Sequence, residues 1–169
     1  MARVLSGVFF DAGNTLLVEE PGKHLWEMKI VPIPGAVQLL SALKPHYRLG
    51  VISNTVGSGD PELADALAKA GLRHFIDALV TSRDFGRAKP DAAIYREGAR
   101  RLGVPLESTC MVGDRLDTDV AGALNAGIAG IWLKHPGAIA MAGIVPTHVI
   151  TQLADLAPWL DATYTRVEP

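Results

Sequence analysis

Residues able to do chemistry occur at four points along this chain of 169 residues. They are Asp11, the pair Ser53 and Asn54, Lys89, and the acidic residues Asp114 and Asp119. Carboxylates are hard oxygen ligands that suit Mg²⁺, and a carboxylate can also be the nucleophile that splits one hydrolysis into two easier steps. Each residue taken singly is more typical of a turn, a helix cap or a solvated surface. Their meaning therefore depends on whether the fold brings them together.

The elements that must position these residues alternate between short apolar runs and amphipathic segments. Apolar runs bounded by turn residues predict six strands, at 4–10, 49–52, 78–81, 109–112, 128–133 and 148–150. The segments between them predict helices, at 34–44, 60–71, 91–102, 119–126 and 153–160. This alternation predicts βαβ units, and hence an α/β fold with a parallel sheet.

The candidate residues follow the predicted strands directly. Asp11 follows the first strand, Ser53 and Asn54 close the second, and Asp114 follows the fourth. Lys89 lies in the segment after the third strand. Ligands of open α/β sheets bind beyond the carboxyl ends of the strands, so these positions predict one shared site.

The sequence around these residues resembles the four motifs of the haloacid dehalogenase (HAD) superfamily. The matching segments are 9–16 (FFDAGNTL), 51–54 (VISN), 89–91 (KPD) and 112–119 (VGDRLDTD). Four motifs in the family's order, over nearly the whole chain, identify it as a member of that superfamily. The resemblance implies a three-layer α/β/α, Rossmann-like (HAD-like) domain with a mainly parallel central sheet. We expect its first strand to lie centrally, between the second and the fourth.

The resemblance also implies a Mg²⁺-dependent phosphatase. Asp11 matches the family nucleophile, which forms an aspartyl phosphate. Asp11, Asp114 and the backbone carbonyl of Gly13 match the metal ligands. Three carboxylates and Lys89 sum to a charge of −2, which one Mg²⁺ cancels.

The remaining motif residues match groups that handle the phosphate and orient the site. Ser53 and the backbone N–H of Asn54 match the groups that hold the phosphoryl oxygens. Lys89 matches the cation that neutralises Asp11 and the transferring phosphoryl group. Asp119 matches a residue that orients its neighbours or Lys89 instead of binding the metal.

Position 13 departs from the family pattern. Most family phosphatases carry there a second Asp, which protonates the leaving group and later activates water, whereas Gly13 offers only a backbone carbonyl. Asn14 stands where the family usually has Gly. Two functions stay open: a phosphatase with a missing general acid, or a catalytically impaired HAD-like module that binds metal and a phospho-ligand or protein partner. Dehalogenases and phosphonatases also lack this Asp, so carbon–halogen or carbon–phosphorus hydrolysis is a lesser alternative.

The spacing of the motifs predicts the domain organisation. Only residues 17–33 separate the first motif from the next helix, too few for the four-helix cap domain of many relatives. We expect a single HAD-like core domain over 1–161 without an inserted cap, and a C-terminal tail over 162–169. An open site of this kind admits a large phosphorylated substrate, or a neighbouring subunit of a homo-oligomer as its lid.

Composition excludes several classes of protein. The chain has 16 basic and 18 acidic residues, so no basic excess predicts nucleic-acid binding. Cys110 is the only cysteine, which excludes an internal disulfide and a cysteine-based zinc site. No apolar run approaches ~20 residues, so we expect no membrane span. The N-terminus resembles neither a signal nor a transit peptide, and we expect a cytoplasmic protein.

Overall fold

Buried apolar strands alternate with amphipathic helices in the computed structural model, which describes residues 3–166. The strands are β1 (Arg3–Leu5), β2 (Gly7–Phe10), β3 (Arg48–Ser53), β4 (Ala78–Thr81), β5 (Thr109–Gly113), β6 (Ala129–Leu133), β7 (His148–Ile150) and β8 (Tyr164–Arg166). The helices are α1 (Ala36–Leu43), α2 (Asp60–Lys69), α3 (Ser82–Phe85), α4 (Ala92–Leu102), α5 (Ala121–Asn125) and α6 (Leu156–Thr163).

Six of the strands form one parallel sheet in the order β4-β3-β2-β5-β6-β7. The first strand of this sheet, β2, lies between β3 and β5, so the predicted order is confirmed. Side chains alternate across a strand, and β2 accordingly sends Val8 and Phe10 into one apolar cluster and Phe9 into another. The first cluster includes residues of α1, α2 and α6, and the second includes residues of α4 and α5. The α/β/α layering is therefore as predicted.

Local signals set the bounds of α4, the helix that follows Lys89. The Asp91 carboxylate accepts the backbone N–H of Ala93 at 2.8 Å and caps the first turn. Gly103, with a φ of 69°, ends the helix in the left-handed region that glycine adopts without steric cost. The helix is thus fixed at both ends.

Both ends of the chain differ from the sequence prediction. The strand expected at 4–10 is broken at Ser6, whose N–H donates to the Ser108 carbonyl at 2.8 Å. Its first part, β1, pairs in parallel with β8 in a separate two-stranded sheet. Residues 162–166 of the expected tail therefore belong to α6 and β8, because β8 gains backbone hydrogen bonds and Tyr164 packs edge-on against Trp159. Residues 167–169 of that tail lie outside the described residues.

The segments around the sheet edge also differ from expectation. The helix predicted at 119–126 starts earlier, as a π-helical turn over Leu116–Val120 that leads into α5. In the segment 17–33 the structure has one short 3₁₀ turn, Leu25–Glu27, and an antiparallel bridge between Leu17 and Pro32. Among residues 3–166, no helix has the length and apolar character needed to cross a membrane.

Candidate active site

The carboxyl ends of β2, β3 and β5 open into a cleft of about 540 Å³, a volume typical of sites for small molecules. Every residue that the sequence predicted for the site lines it: Asp11, Gly13, Ser53, Asn54, Lys89, Asp114 and Asp119. Parallel strands end at one edge of a sheet, so residues far apart in the chain meet there. The segment between β2 and α1 lines the cleft as well, through residues such as Glu19, Lys23 and Met28.

Lys89 lies at the centre of the site. Its ammonium donates to Asp11 Oδ1 at 2.8 Å, to Asp119 Oδ1 at 2.7 Å and to the Ile52 carbonyl at 2.7 Å. Three acceptors match the three donors of an ammonium group. Burial alone would lower the pKa of Lys89, but the two carboxylates outweigh it and raise that pKa. The lysine therefore stays a cation beside Asp11.

Asp119 is held from two sides. Its Oδ1 accepts from Lys89, and its Oδ2 accepts the backbone N–H of Arg115 at 3.0 Å. Asp119 lies in the π-helical turn Leu116–Val120, and wide turns of this type are frequent at functional sites. Burial, and next the charge of Asp11, raise the pKa of Asp119 to about 6. With one hydrogen bond on each oxygen, Asp119 is suited to orienting Lys89.

The side chain of Asn54 holds the backbone of the Lys89 loop. Asn54 Oδ1 accepts the N–H of Lys89 at 2.8 Å, and Asn54 Nδ2 donates to the Lys89 carbonyl at 2.9 Å. The family resemblance implies a role only for the backbone N–H of Asn54. An amide side chain with one donor and one acceptor end suits this reciprocal pairing. Ser53, the last residue of β3, is buried at the floor of the same cleft.

The carboxylates of Asp11, Asp114 and Asp119 form an acidic cluster, in which one oxygen of each lies within 4.8 Å of the others. Burial raises the pKa of Asp11 and outweighs the lowering effect of Lys89, and burial together with the charge of Asp119 raises the pKa of Asp114. A bound cation would offset the repulsion between carboxylates held this close, and hard oxygen donors suit Mg²⁺. All three carboxylates could contribute to holding such a cation, and Asp11 and Asp119 are also bonded to Lys89.

Two contacts that the sequence did not predict fix the loops around this cluster. The indole N–H of Trp132 donates to the Asp114 carbonyl at 2.9 Å. His135 Nε2 lies 2.6 Å from the Asn14 carbonyl oxygen. Neither residue belongs to one of the four motifs. The available signal was their position at the carboxyl end of β6, the strand next to the one that carries Asp114.

Comparison with known proteins finds similar sequences and a similar fold. A family model of haloacid dehalogenase-like hydrolases matches residues 11–127. The pyrimidine 5'-nucleotidase YjjG of Escherichia coli strain K12 is 37% identical over 155 residues, which cover 87% of this chain and 67% of that protein. A glyceraldehyde 3-phosphate phosphatase of Methanothermobacter thermautotrophicus is 41% identical over 101 residues, 59% of this chain and 43% of that protein. The chain thus spans 43% to 67% of the length of these two relatives.

A solved structure extends the likeness to nearly the whole chain. An uncharacterized protein from Listeria monocytogenes serotype 4b superposes with a TM-score of 0.83 at 25% sequence identity. The match covers 94% of this chain and 98% of the Listeria chain.

Proposed function

The chain belongs to the haloacid dehalogenase-like hydrolases, and from this premise we propose that it is a Mg²⁺-dependent phosphatase acting through an aspartyl phosphate on Asp11. The observation that carries the proposal is the buried contact of Lys89 with Asp11 at 2.8 Å, beside the carboxylate of Asp114. A nucleophilic carboxylate, a fixed cation and an acidic metal ligand meet in one cleft. Relatives named as phosphatases and nucleotidases support the same class of reaction.

Asp11 is the nucleophile in this proposal. Its carboxylate oxygen forms a bond to phosphorus while the bond from phosphorus to the leaving oxygen breaks, and the electron pair departs with that oxygen. Lys89 holds the carboxylate in one orientation and stabilises negative charge that develops in the transition state. Water then attacks the phosphorus of the acyl phosphate, which releases inorganic phosphate and restores the Asp11 carboxylate.

Asp11, Asp114 and the carbonyl of Gly13 are the groups that would hold Mg²⁺. A bound Mg²⁺ supplies the positive charge that lets a phosphate dianion approach an acidic site. The protein's own contribution is to fix the two carboxylates. The Thr15 hydroxyl donates to the Asp114 carboxylate at 3.5 Å, and the Trp132 indole N–H donates to the Asp114 carbonyl.

The substrate we propose is a phosphate monoester whose phosphate lies over Asp11, near Ser53. A cleft of about 540 Å³ accommodates a small phosphorylated metabolite. The segment 17–33 covers one side of the cleft, and we propose that this chain has no separate cap domain between its first two motifs. That the open site also admits larger phosphorylated substrates remains a prediction.

The test is a panel of phosphate monoesters incubated with the purified protein and Mg²⁺, with release of inorganic phosphate as the readout. We expect turnover by the wild type and none by Asp11→Asn, which keeps the shape of the side chain and removes the nucleophile. Asp65→Asn, an exposed change on α2 away from the cleft, is the matched control and should retain activity. An inactive wild type that still binds inorganic phosphate in the presence of Mg²⁺ would overturn the proposal and favour the binding module.

A further inference from the structure

Gly13 leaves a space in the cleft, and the carboxylate of Glu19 lies against that space. A Cβ built on Gly13 would meet Glu19 Oε2 at 2.8 Å and Glu19 Cδ at 3.2 Å, and its three nearest atoms all belong to Glu19. An aspartate at position 13 would carry its own carboxylate one bond beyond that Cβ. The carboxyl group that is missing from position 13 in the sequence is therefore replaced in space by one from position 19.

The Asn14 side chain forms hydrogen bonds with both the backbone and the side chain of Glu19. Asn14 Oδ1 accepts the N–H of Glu19 at 3.1 Å, and Asn14 Nδ2 donates to Glu19 Oε2 at 3.2 Å. Asn14 itself has a φ of 55°, a left-handed conformation that Asn tolerates better than most residues. Its N–H donates to the Leu17 carbonyl at 2.6 Å, which closes the turn. The unusual residues at 13 and 14 thus act together: Gly13 makes room, and Asn14 holds Glu19 in it.

We propose that Glu19 is the general acid and base of this site, in the place of the absent aspartate. The inference rests on the proposed function, because it concerns how the same phosphate ester is cleaved. Glu19 lines the same cleft as Asp11, which places a second carboxyl group in the cleft where the ester would bind.

The two proton transfers balance with the covalent steps. In the first step the Asp11 oxygen bonds to phosphorus, the bond to the leaving oxygen breaks, and that oxygen takes the proton from the Glu19 carboxyl group. In the second step the Glu19 carboxylate takes a proton from water as the water oxygen bonds to phosphorus and the bond to Asp11 breaks. Glu19 ends protonated and ready for the next substrate.

Glu19→Gln tests this role with little structural change. The glutamine amide oxygen can still accept from Asn14 Nδ2, and the backbone contact to Asn14 Oδ1 is unaffected. The probes are phenyl phosphate, whose leaving group needs a proton, and p-nitrophenyl phosphate, whose leaving group departs readily without one. We expect kcat/KM for phenyl phosphate to fall about 10²-fold or more, as is typical for loss of a general acid. The fall for p-nitrophenyl phosphate should be much smaller.

A second readout follows from the base role. Loss of the base slows hydrolysis of the acyl phosphate, so Glu19→Gln should release a burst of p-nitrophenol equal to one per active site before a slow steady state. The control is Glu107→Gln, an exposed change at the opposite edge of the sheet that should leave both substrates unaffected. Equal losses for the two substrates, or none, together with no burst, would overturn the role of Glu19 while leaving the phosphatase intact. A wild type that cleaves none of the phosphate monoesters of the panel, these two included, would instead overturn the proposed function and this inference with it.

Discussion

Replacing Lys89 by methionine removes an ammonium group that binds two carboxylates, Asp11 and Asp119, in the interior of the site. Methionine has a similar length, so the change deletes charge and hydrogen bonds with little change of volume. The Lys89 and Asp119 side chains are each 1% exposed and that of Asp11 is 12% exposed, so water can replace only a small part of the lost contacts. Asp119 would keep one partner, the N–H of Arg115.

The expected cost follows from this burial. Removing one partner of a buried ion pair typically lowers the free energy of unfolding by about 3–5 kcal/mol, because it leaves a charge without compensation. That is a large fraction of the ~5–15 kcal/mol by which a domain is usually stable. Urea unfolding at neutral pH, with a chelator present, measures the loss without interference from metal binding. The control is Lys69→Met at the exposed end of α2, which should stay within about 0.5 kcal/mol of the wild type.

The double variant Lys89→Met/Asp119→Asn separates the charge effect from a general packing defect. It removes the unpaired carboxylate along with the ammonium, so its loss should be smaller than the sum of the two single losses. A coupling of about 0.5–3 kcal/mol is usual for residues in contact. If Lys89→Met does not fold, cooperative unfolding regained in the double variant supports the same reasoning. A Lys89→Met protein within about 1 kcal/mol of the wild type, or strictly additive losses, would refute it.

Three further outcomes are expected. Asp114→Ala should abolish Mg²⁺ binding in calorimetry, and unchanged affinity would rule out the proposed metal site. Burial would raise the pKa of Asp77, but its hydrogen bonds from Lys44 and the Leu49 N–H outweigh burial and lower it. The stability that ionised Asp77 contributes is therefore present above the ordinary aspartate pKa and lost as pH falls through the lowered one. Asp77→Asn should lower the free energy of unfolding by about 1–3 kcal/mol in urea at neutral pH, and this difference from the wild type should disappear in acid. A difference that does not depend on pH would contradict the argument. Tyr95→Phe deletes a buried bond to the Asp119 carbonyl at 2.9 Å and should cost about 1 kcal/mol, whereas a stabilised protein would contradict that bond's contribution.

Much of the sheet and the site was predictable from local patterns. Apolar runs bounded by turn residues indicated the six strands of the parallel sheet, because a strand buried on both faces needs continuous apolar side chains. The position of Asp11, Ser53 and Asp114 at strand ends predicted that they would meet, since parallel strands end at one edge. Placing Lys89 near them needed the order of the family motifs, because a lysine in a loop carries no periodic signal.

Other features depended on pairings between distant segments. The strand at 164–166 has few apolar residues, and it exists because it completes hydrogen bonds with β1, which the sequence pattern merged into β2. The helix near Asp119 begins earlier in the chain than predicted, because a π-helical turn does not follow the period of 3.6 residues that predicts a helix.

The sequence by itself determined which residue types are available for the proposed chemistry: carboxylates for the proposed nucleophile and metal ligands, a lysine, and a glycine where an acid is usual in the family. Only the tertiary structure decided how they are held, with Asn54 bonded to the backbone of Lys89 and Glu19 lying beside Gly13. The physical reason is that a side chain's charge and donors belong to the residue, whereas its direction and partners depend on how separate segments pack. Glu19 is six residues from Gly13, in a segment without a regular period, so its carboxylate could be placed only by the turn that Asn14 closes.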